Sequence, residues 1–226
     1  MDDVVSVSCM GLVTMAIQVD GSLWSWGIAD FSPVHEIPFE GHHYPIRIMD
    51  DVAHVSVGGQ HVMAIKADGS LWGWGWEDWI PGDGMPEGSY IPTHIMDDVV
   101  SVFAGVASTM AIKTDGSLWA WGHNWDGHLG DGTSTERLLY PTHIMDDIAA
   151  VALGSMTTLA VQSDGSLWGW GWFSNMYPLL RRDMPDDFCL DSIPLDVCID
   201  DYTYVHGRVL TPTKVLDGVM LLIQSR

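Results

Sequence analysis

The sequence predicts an all-β protein, a partial or open β-propeller of four-stranded antiparallel blades. Three observations carry this reading. The pentapeptide Asp20-Gly21-Ser22-Leu23-Trp24 returns unaltered at 68–72, 115–119 and 164–168, at intervals of 48, 47 and 49 residues. A second marker keeps phase with it: Met1-Asp2-Asp3-Val4, Met49-Asp50-Asp51-Val52, Met96-Asp97-Asp98-Val99 and Met145-Asp146-Asp147-Ile148. Between the markers, short β-rich runs alternate with turn residues, four runs to a unit. Two markers in fixed phase mean one supersecondary unit copied along the chain, and a period this long belongs to a propeller or solenoid. Four strands per unit select the propeller blade.

The first strand of the unit covers 4–8, 52–57, 99–103 and 148–153, runs whose length and apolar content suit a half-buried strand. Gly58, Gly105 and Gly154 follow, with Met10 and Gly11 in the first copy, and are expected to supply a turn with positive φ. The second strand covers 15–18, 63–66, 110–113 and 158–161. Asp20-Gly21 and its equivalents then form the hairpin connection. As a two-residue loop this predicts a type I′ turn, with φ > 0 at both central residues.

In the third strand, period two puts Trp24 with Trp26 on one face, and likewise Trp72 with Trp74, Trp119 with Trp121, and Trp168 with Trp170. These eight of the twelve tryptophans are read as blade core. Gly27, Gly75, Gly122 and Gly171 end the strand. A variable loop then leads to Pro45, Pro92, Pro141 and Pro212, each opening a final short run where proline is tolerated as a first or edge residue.

The units therefore span about 1–48, 49–95, 96–144 and 145–216. The interval from Pro141 to Pro212 is 71 residues, which places an insertion at 173–211 in the fourth unit. The run Val219-Met220-Leu221-Leu222-Ile223 holds the position of a first strand, so 217–226 reads as the start of a fifth unit. A blade cannot hide both faces alone, and stacked neighbours must supply the core.

With these residues in view, the chain resembles the regulator of chromosome condensation repeat family of β-propellers. The third unit carries the fullest match: Gly105, Met110-Ala111-Ile112, Asp115-Gly116, Trp119-Ala120-Trp121-Gly122, then Asn124-Trp125-Asp126-Gly127-His128-Leu129-Gly130, and Pro141. The wording Asp-Gly-Ser-Leu-Trp and Ile-Met-Asp-Asp is similar to the bacterial branch. The other units lack the Asn-x-x-Gly-x-Leu-Gly stretch. The family's His after the repeat Gly stands only at His61, with Val13, Ser108 and Thr157 elsewhere. The resemblance implies rings of about seven blades, so four units leave apolar end faces and unpaired edges. Either two chains assemble, or the ring distorts to close, or the chain is a fragment. A fragment or open partial ring is the reading taken.

Charge narrows the functions. Thirty acids against nine bases give a net charge of −21. Nucleic-acid binding needs a basic footprint, and anionic membranes repel such a chain. A basic protein partner would be steered towards it. Cys9, Cys189 and Cys198 form no disulfide framework and no zinc pattern, although Cys189 and Cys198 are close enough in sequence to bridge within one loop. No run of about 18 apolar residues is available to span a membrane. Taken as written the protein is cytoplasmic; as part of a longer chain it would belong to a surface or secreted protein.

The Asp pairs offer no asymmetry of environment for acid–base chemistry and are read as solvated turns. No His pair has zinc-ligand spacing, including His42-His43, His94 and His143. No nucleophile elbow or phosphate loop occurs. The chain is accordingly read as a non-enzyme with no cofactor, no metal site and no catalytic residue. Four tryptophans lie outside the paired positions, in the variable segment after the third strand: Trp76, Trp79, Trp125 and Trp172. Loops at one end of a scaffold carry recognition, and tryptophan is enriched in binding hot spots. Glu77, Asp78, His123, Asn124 and Phe173 would form the rim. The resemblance implies a protein-interaction module acting through this loop face. The alternative is a glycan-binding module of a bacterial surface protein, stacking sugars on the loop tryptophans. Nucleotide exchange on a small GTPase is known among relatives, but the residues that carry it have no counterpart here.

Overall fold

The structure, a computed structural model, describes residues 1–27, 42–59, 61–75, 91–173 and 207–216. They form sixteen strands in four antiparallel sheets, each built from four strands consecutive in sequence. Blade 1 holds β1 (Val4–Met10), β2 (Val13–Gln18), β3 (Leu23–Gly27) and β4 (His42–Met49). Blade 2 holds β5 (Val52–Val57), β6 (His61–Lys66), β7 (Leu71–Gly75) and β8 (Thr93–Met96). Blade 3 holds β9 (Val99–Ala104), β10 (Ser108–Lys113), β11 (Leu118–His123) and β12 (Arg137–Met145). Blade 4 holds β13 (Ile148–Leu153), β14 (Thr157–Gln162), β15 (Leu167–Phe173) and β16 (Gly207–Leu216). Among the described residues the four sheets are separate, and no strand is shared between the first and the last, which fits an open or partial propeller.

The boundaries shift from those read in the sequence. Met49, Met96 and Met145 close the last strand of a blade instead of opening the next, pairing with Leu23, Leu71 and Leu118. Leu216 takes the same register opposite Leu167. The inserted segment is also shorter than 173–211. Phe173 still belongs to β15, and 207–211 lie in β16, with Gly207 opposite Phe173. Strand pairing runs past the proline because β12 and β16 are outermost, where a missing N–H can face solvent. The fifth-unit reading of 217–226 falls outside the described residues, as do Cys189 and Cys198.

The pentapeptide forms one hydrogen-bonded device in every blade. Ser22 N–H and Ser22 Oγ both donate to Asp20 Oδ1, at 2.9 and 2.6 Å, and Trp24 Nε1 donates to Ser22 Oγ at 2.9 Å. Blades 2 and 3 repeat all three bonds, and blade 4 repeats the first and last. The hairpin loop is not the expected two-residue type I′ turn. Gln18 N–H bonds to the Ser22 carbonyl and Gly21 N–H to the Gln18 carbonyl, leaving three residues in the loop. Only the glycine is left-handed, with φ +78° at Gly21 and +83° at Gly116. This is the three-residue form, a turn followed by a glycine bulge.

The second Asp of each marker is left-handed too, at Asp3, Asp51, Asp98 and Asp147 (φ 56 to 63°). Asp tolerates that region better than most residues. Gly58, Gly105 and Gly154 do not need positive φ after all. At Gly58 the reason is space, since a Cβ would stand 2.6 Å from the Gly105 carbonyl oxygen of the next blade.

Blades stack face to face. Val13, Met15, Ile17 and Leu23 of blade 1 pack on Val52, Val55, Val57, Val62, Ala64 and Trp74 of blade 2. Met63, Ile65 and Leu71 meet Val99, Val102, Ala111 and Trp121 in the same way. Met110, Ile112, Leu118 and Leu129 then meet Ile148, Val151, Ala160 and Trp170. A backbone latch repeats at each junction: Val52, Val99 and Ile148 N–H donate to the carbonyls of Gly21, Gly69 and Gly116, each at 2.9 Å. The paired tryptophans divide their labour. Trp74, Trp121 and Trp170 are the buried core residues, while Trp24, Trp72, Trp119 and Trp168 are half-buried and anchored by their Nε1.

Candidate functional site

Strand order gives each blade two unlike ends. The β1–β2 type turn and the β3–β4 type loop share one end, and the Asp-Gly hairpin and the Met-Asp-Asp corner share the other. At the first end the turn and loop are bonded together: His123 N–H donates to the Ala107 carbonyl (2.9 Å) and Trp172 N–H to the Met156 carbonyl (2.7 Å). This end exposes Leu12, Val106 and Met156 from the turns and Trp125 from the loop of blade 3. Trp125 is 55% exposed and meets His123 edge-on, with ring centroids 4.7 Å apart.

The loop that presents Trp125 is held from beneath. Asn124 is fully buried. Its Nδ2 donates to Asp131 Oδ1 (2.8 Å) and to the Thr133 carbonyl (3.1 Å), and its Oδ1 accepts from Leu129 N–H (3.0 Å). Asp131 in turn accepts from Thr133 N–H at 3.0 Å. Leu129, buried completely, plugs the junction with blade 4. Gly130 packs against the indole of Trp170, where a Cβ would stand 2.5 Å from Nε1. Gly132 N–H completes the clasp by donating to the Leu210 carbonyl of β16 (2.9 Å).

Two buried imidazoles serve the junctions behind this end. His61 Nε2 lies 2.7 Å from Thr109 Oγ1 of the next blade, and burial lowers its pKa to about 4, so it is neutral at pH 7. Blade 3 has Ser108 at the equivalent position. The loop's His128 approaches it instead, Nε2 to Ser108 Oγ at 3.1 Å, and its carbonyl accepts from Thr158 Oγ1 at 2.7 Å. Burial likewise lowers the His128 pKa. The loop thus supplies an imidazole to a blade whose strand carries serine at that position.

The opposite end is acidic. Asp20, Asp68, Asp115 and Asp164 sit in the hairpin turns, and the Asp pairs in the corners between blades. The hydroxyl and N–H of the following serine hold each hairpin carboxyl below the usual carboxylate range. His94 and His143 lie 2.8 Å from Asp97 and Asp146 and edge-on to Trp72 and Trp119. Among the described residues, no three His, Cys, Asp or Glu side chains gather to hold a metal ion. No described helix is long and apolar enough to cross a membrane.

The sequence-derived binding residues separate accordingly. His123 and Trp125 stand together at the loop end, and Trp172 is anchored beside Met156 in the next blade. Asn124 is corrected: buried and bonded, it is a positioning residue and offers no contact to a partner. Phe173 closes β15 opposite Gly207. Trp76, Glu77, Asp78 and Trp79 lie outside the described residues. Sequence reasoning missed Leu12, Val106 and Met156. Their signal was an apolar residue inside a two- or three-residue turn, where burial has no use for it.

Comparison with known proteins follows the same outline. A family model for the regulator of chromosome condensation (RCC1) repeat matches residues 115–161, and a second of the same description matches 52–78. No match is found among the curated proteins. The fold is similar to yeast RCC1 (Prp20) in its complex with Kap60, with a TM-score of 0.70 and 17% identity, covering 95% of this chain and 49% of that one. It is similar to Prp20p of Saccharomyces cerevisiae, described with its binding to Gsp1p and histones (TM-score 0.66, 17% identity, 95% and 50% covered). It is also similar to human WBSCR16 (TM-score 0.64, 22% identity, 75% and 47% covered). The chain spans about half the length of these solved structures.

Proposed function

We propose that this chain, built of regulator of chromosome condensation (RCC1) repeats, is a non-catalytic scaffold that binds a protein partner through the loop end of its blades. One observation carries the reading: Leu12, Val106, Trp125 and Met156 are all exposed at that end, with aspartates gathered at the other. Exposed aromatic and aliphatic side chains grouped on one face mark an interaction surface. The Prp20 structures, one with Kap60 bound and one described with Gsp1p and histones, support a protein as the class of partner. Glycan binding would favour a tryptophan platform in each blade, yet Trp125 is the one strongly exposed tryptophan among the described residues.

Affinity capture from the native host tests the reading with three baits: the wild-type chain, a Trp125→Ala/Met156→Asp variant, and Asp97→Ala at the acidic end. A protein retained by the first and third baits and lost by the second is expected. Equal capture by all three baits, or loss only with Asp97→Ala, would remove the loop end from the function.

A further inference from the structure

We propose that the loop from Asn124 to Thr133 is a strap fastening blade 3 to blade 4, and that protonation of His128 unfastens it, so that mild acid loosens the seat of Trp125. The strap touches every strand of blade 4. The His128 carbonyl accepts from Thr158 Oγ1 of β14 at 2.7 Å, and Gly132 N–H donates to the Leu210 carbonyl of β16 at 2.9 Å. Leu129 is buried in one cluster with Ile148 and Val151 of β13 and Trp170 of β15. Gly127 and Gly130 approach so closely that a Cβ would stand 2.4 Å from Leu210 and 2.5 Å from Trp170. The Asn-x-x-Gly-x-Leu-Gly wording that builds this strap occurs in the third unit alone.

His128 is sealed beneath the strap in a seat that suits only the neutral ring. Its Nε2 lies 3.1 Å from Ser108 Oγ of β10, and its Cβ lies 3.0 Å from the point where Gly171 of β15 would carry one. Nδ1 is buried and meets no hydrogen-bond partner among the described residues. Protonation makes both nitrogens donors. It would leave a charged N–H buried with nothing to receive it, which costs far more than an unmet neutral group. Around the ring, β10, β14 and β15 present Ser108, Thr158 and Gly171, none of which titrates in this range. The titratable groups that act on it are Asp126 of the strap and His123 of β11. Burial holds the His128 pKa below its ordinary 6.5, the Asp126 carboxylate raises it, and His123 lowers it again. The closed strap thus refuses a proton that the open strap accepts. It is closed above pH 6.5 and opens progressively as pH falls below that value.

Ring and tryptophan are joined by short steps. Leu129 follows His128 and donates its N–H to Asn124 Oδ1 at 3.0 Å. Asn124 in turn holds Asp131 and the Thr133 carbonyl, and carries Trp125 as its neighbour in the chain. A His128 ring that leaves its seat pulls on the backbone that closes these bonds. His61 is buried too, but it stands on β6, which is paired on both sides, and has no loop to leave with. A proton on His61 therefore strains a whole junction, whereas one on His128 strains a single loop. Control of partner binding by this strap rests on the loop-end reading. The opening of the strap does not, and it is measured without a partner.

Amide hydrogen exchange on the full chain, read by NMR between pH 7.5 and pH 5 and corrected for intrinsic rates, is the test. The reporters are Leu129 N–H and Gly132 N–H, bonded to Asn124 Oδ1 and to the Leu210 carbonyl. Val57 N–H, bonded to Ser8 Oγ across the junction of blades 1 and 2, is the internal control. In the wild type the strap amides should open more as pH falls below 6.5, by as much as about tenfold per pH unit for one coupled proton. Val57 should not follow them. His128→Gln, which keeps a neutral side chain in the seat, should abolish the pH dependence of the strap. Thr158→Val removes a strap bond without touching the ring, so it should raise opening at pH 7.5 and leave the pH dependence in place. Strap amides that ignore pH in the wild type would overturn the proposal, as would a slope retained in His128→Gln. Equal slopes at Val57 and the strap would overturn it too, by assigning the response to the whole array. Opening unchanged by Thr158→Val would deny that the strap is fastened to blade 4 in this way.

Discussion

His61 sits on β6 with its ring sealed between blades 2 and 3, bonded to Thr109 and unable to take a proton without desolvating a charge. Its pKa of about 4 against an ordinary 6.5 fixes a pH dependence. Below pH 6.5 the unfolded chain binds a proton that the folded chain refuses, so stability is complete above that pH and falls towards pH 4. The loss approaches roughly 3 kcal/mol across the window, at about 1.4 kcal/mol per pKa unit. Chemical denaturation at pH 7 and pH 4.5 should show the drop, and His61→Gln should flatten it; an unchanged slope in the variant would assign the drop elsewhere. The hairpin aspartates add their own decline only at lower pH, because their carboxyls are held below 3.8. The tryptophans separate by the same logic of burial. Trp121→Ala should cost about 3–5 kcal/mol of unfolding free energy. Trp125→Ala should stay within about 0.5 kcal/mol, so that a partner lost with it is lost through contact; a large fall in melting temperature would instead make Trp125 structural.

Among the elements, the hairpin turn shows both what sequence pattern reveals and where it stops. Asp-Gly between two apolar runs located the turn in every blade, because the need for a left-handed residue is local. Loop length was not local information. It depends on Gln18 bonding to Ser22 across the loop, and the serine's second task of anchoring Trp24 explains why the whole pentapeptide repeats. Gly116→Val should destabilise blade 3 by more than the usual ~1 kcal/mol of a point mutation, since φ is +83° and a β-branched residue resists that region. Gly116→Asn should recover much of the loss, as Asn visits left-handed backbone. Equal melting of the Val variant and the wild type would contradict the assigned backbone. Strand phase and blade order were likewise legible, from alternation and repetition. The site was legible only in part. Trp125 and its loop stood out by composition, but Asn124 looks like a surface residue until its side-chain hydrogen bonds are seen. Leu12, Val106 and Met156 gain meaning only once the turns of separate blades are brought to one end.

For the molecule as a whole, charge and apolar stacking pull in opposite directions. The junctions gain by burying aliphatic rows, yet each junction also brings an Asp pair and a hairpin Asp to the same end of the array. With a net charge of −21, that end repels itself. Opposing contacts include the exposed pair Arg47–Asp50, the exposed His94–Asp97 and His143–Asp146 contacts, and a cation near each hairpin carboxylate (Arg47, Lys66, Lys113 and Lys214), a class worth little in water. With thirty acids against nine bases, repulsion is expected to exceed pairing, and screening should stabilise the fold. Raising sodium chloride from low ionic strength should lift the melting temperature, by about 2–4 °C for each kcal/mol of repulsion relieved in a chain of this size. The gain should level off once the Debye length falls below about 10 Å, near 0.1 M salt. A rise that levels off in this way would assign the effect to the aspartates. A fall would mean that ion pairs such as those to Arg47, Lys66, Lys113 and Lys214 dominate the electrostatics of the acidic end.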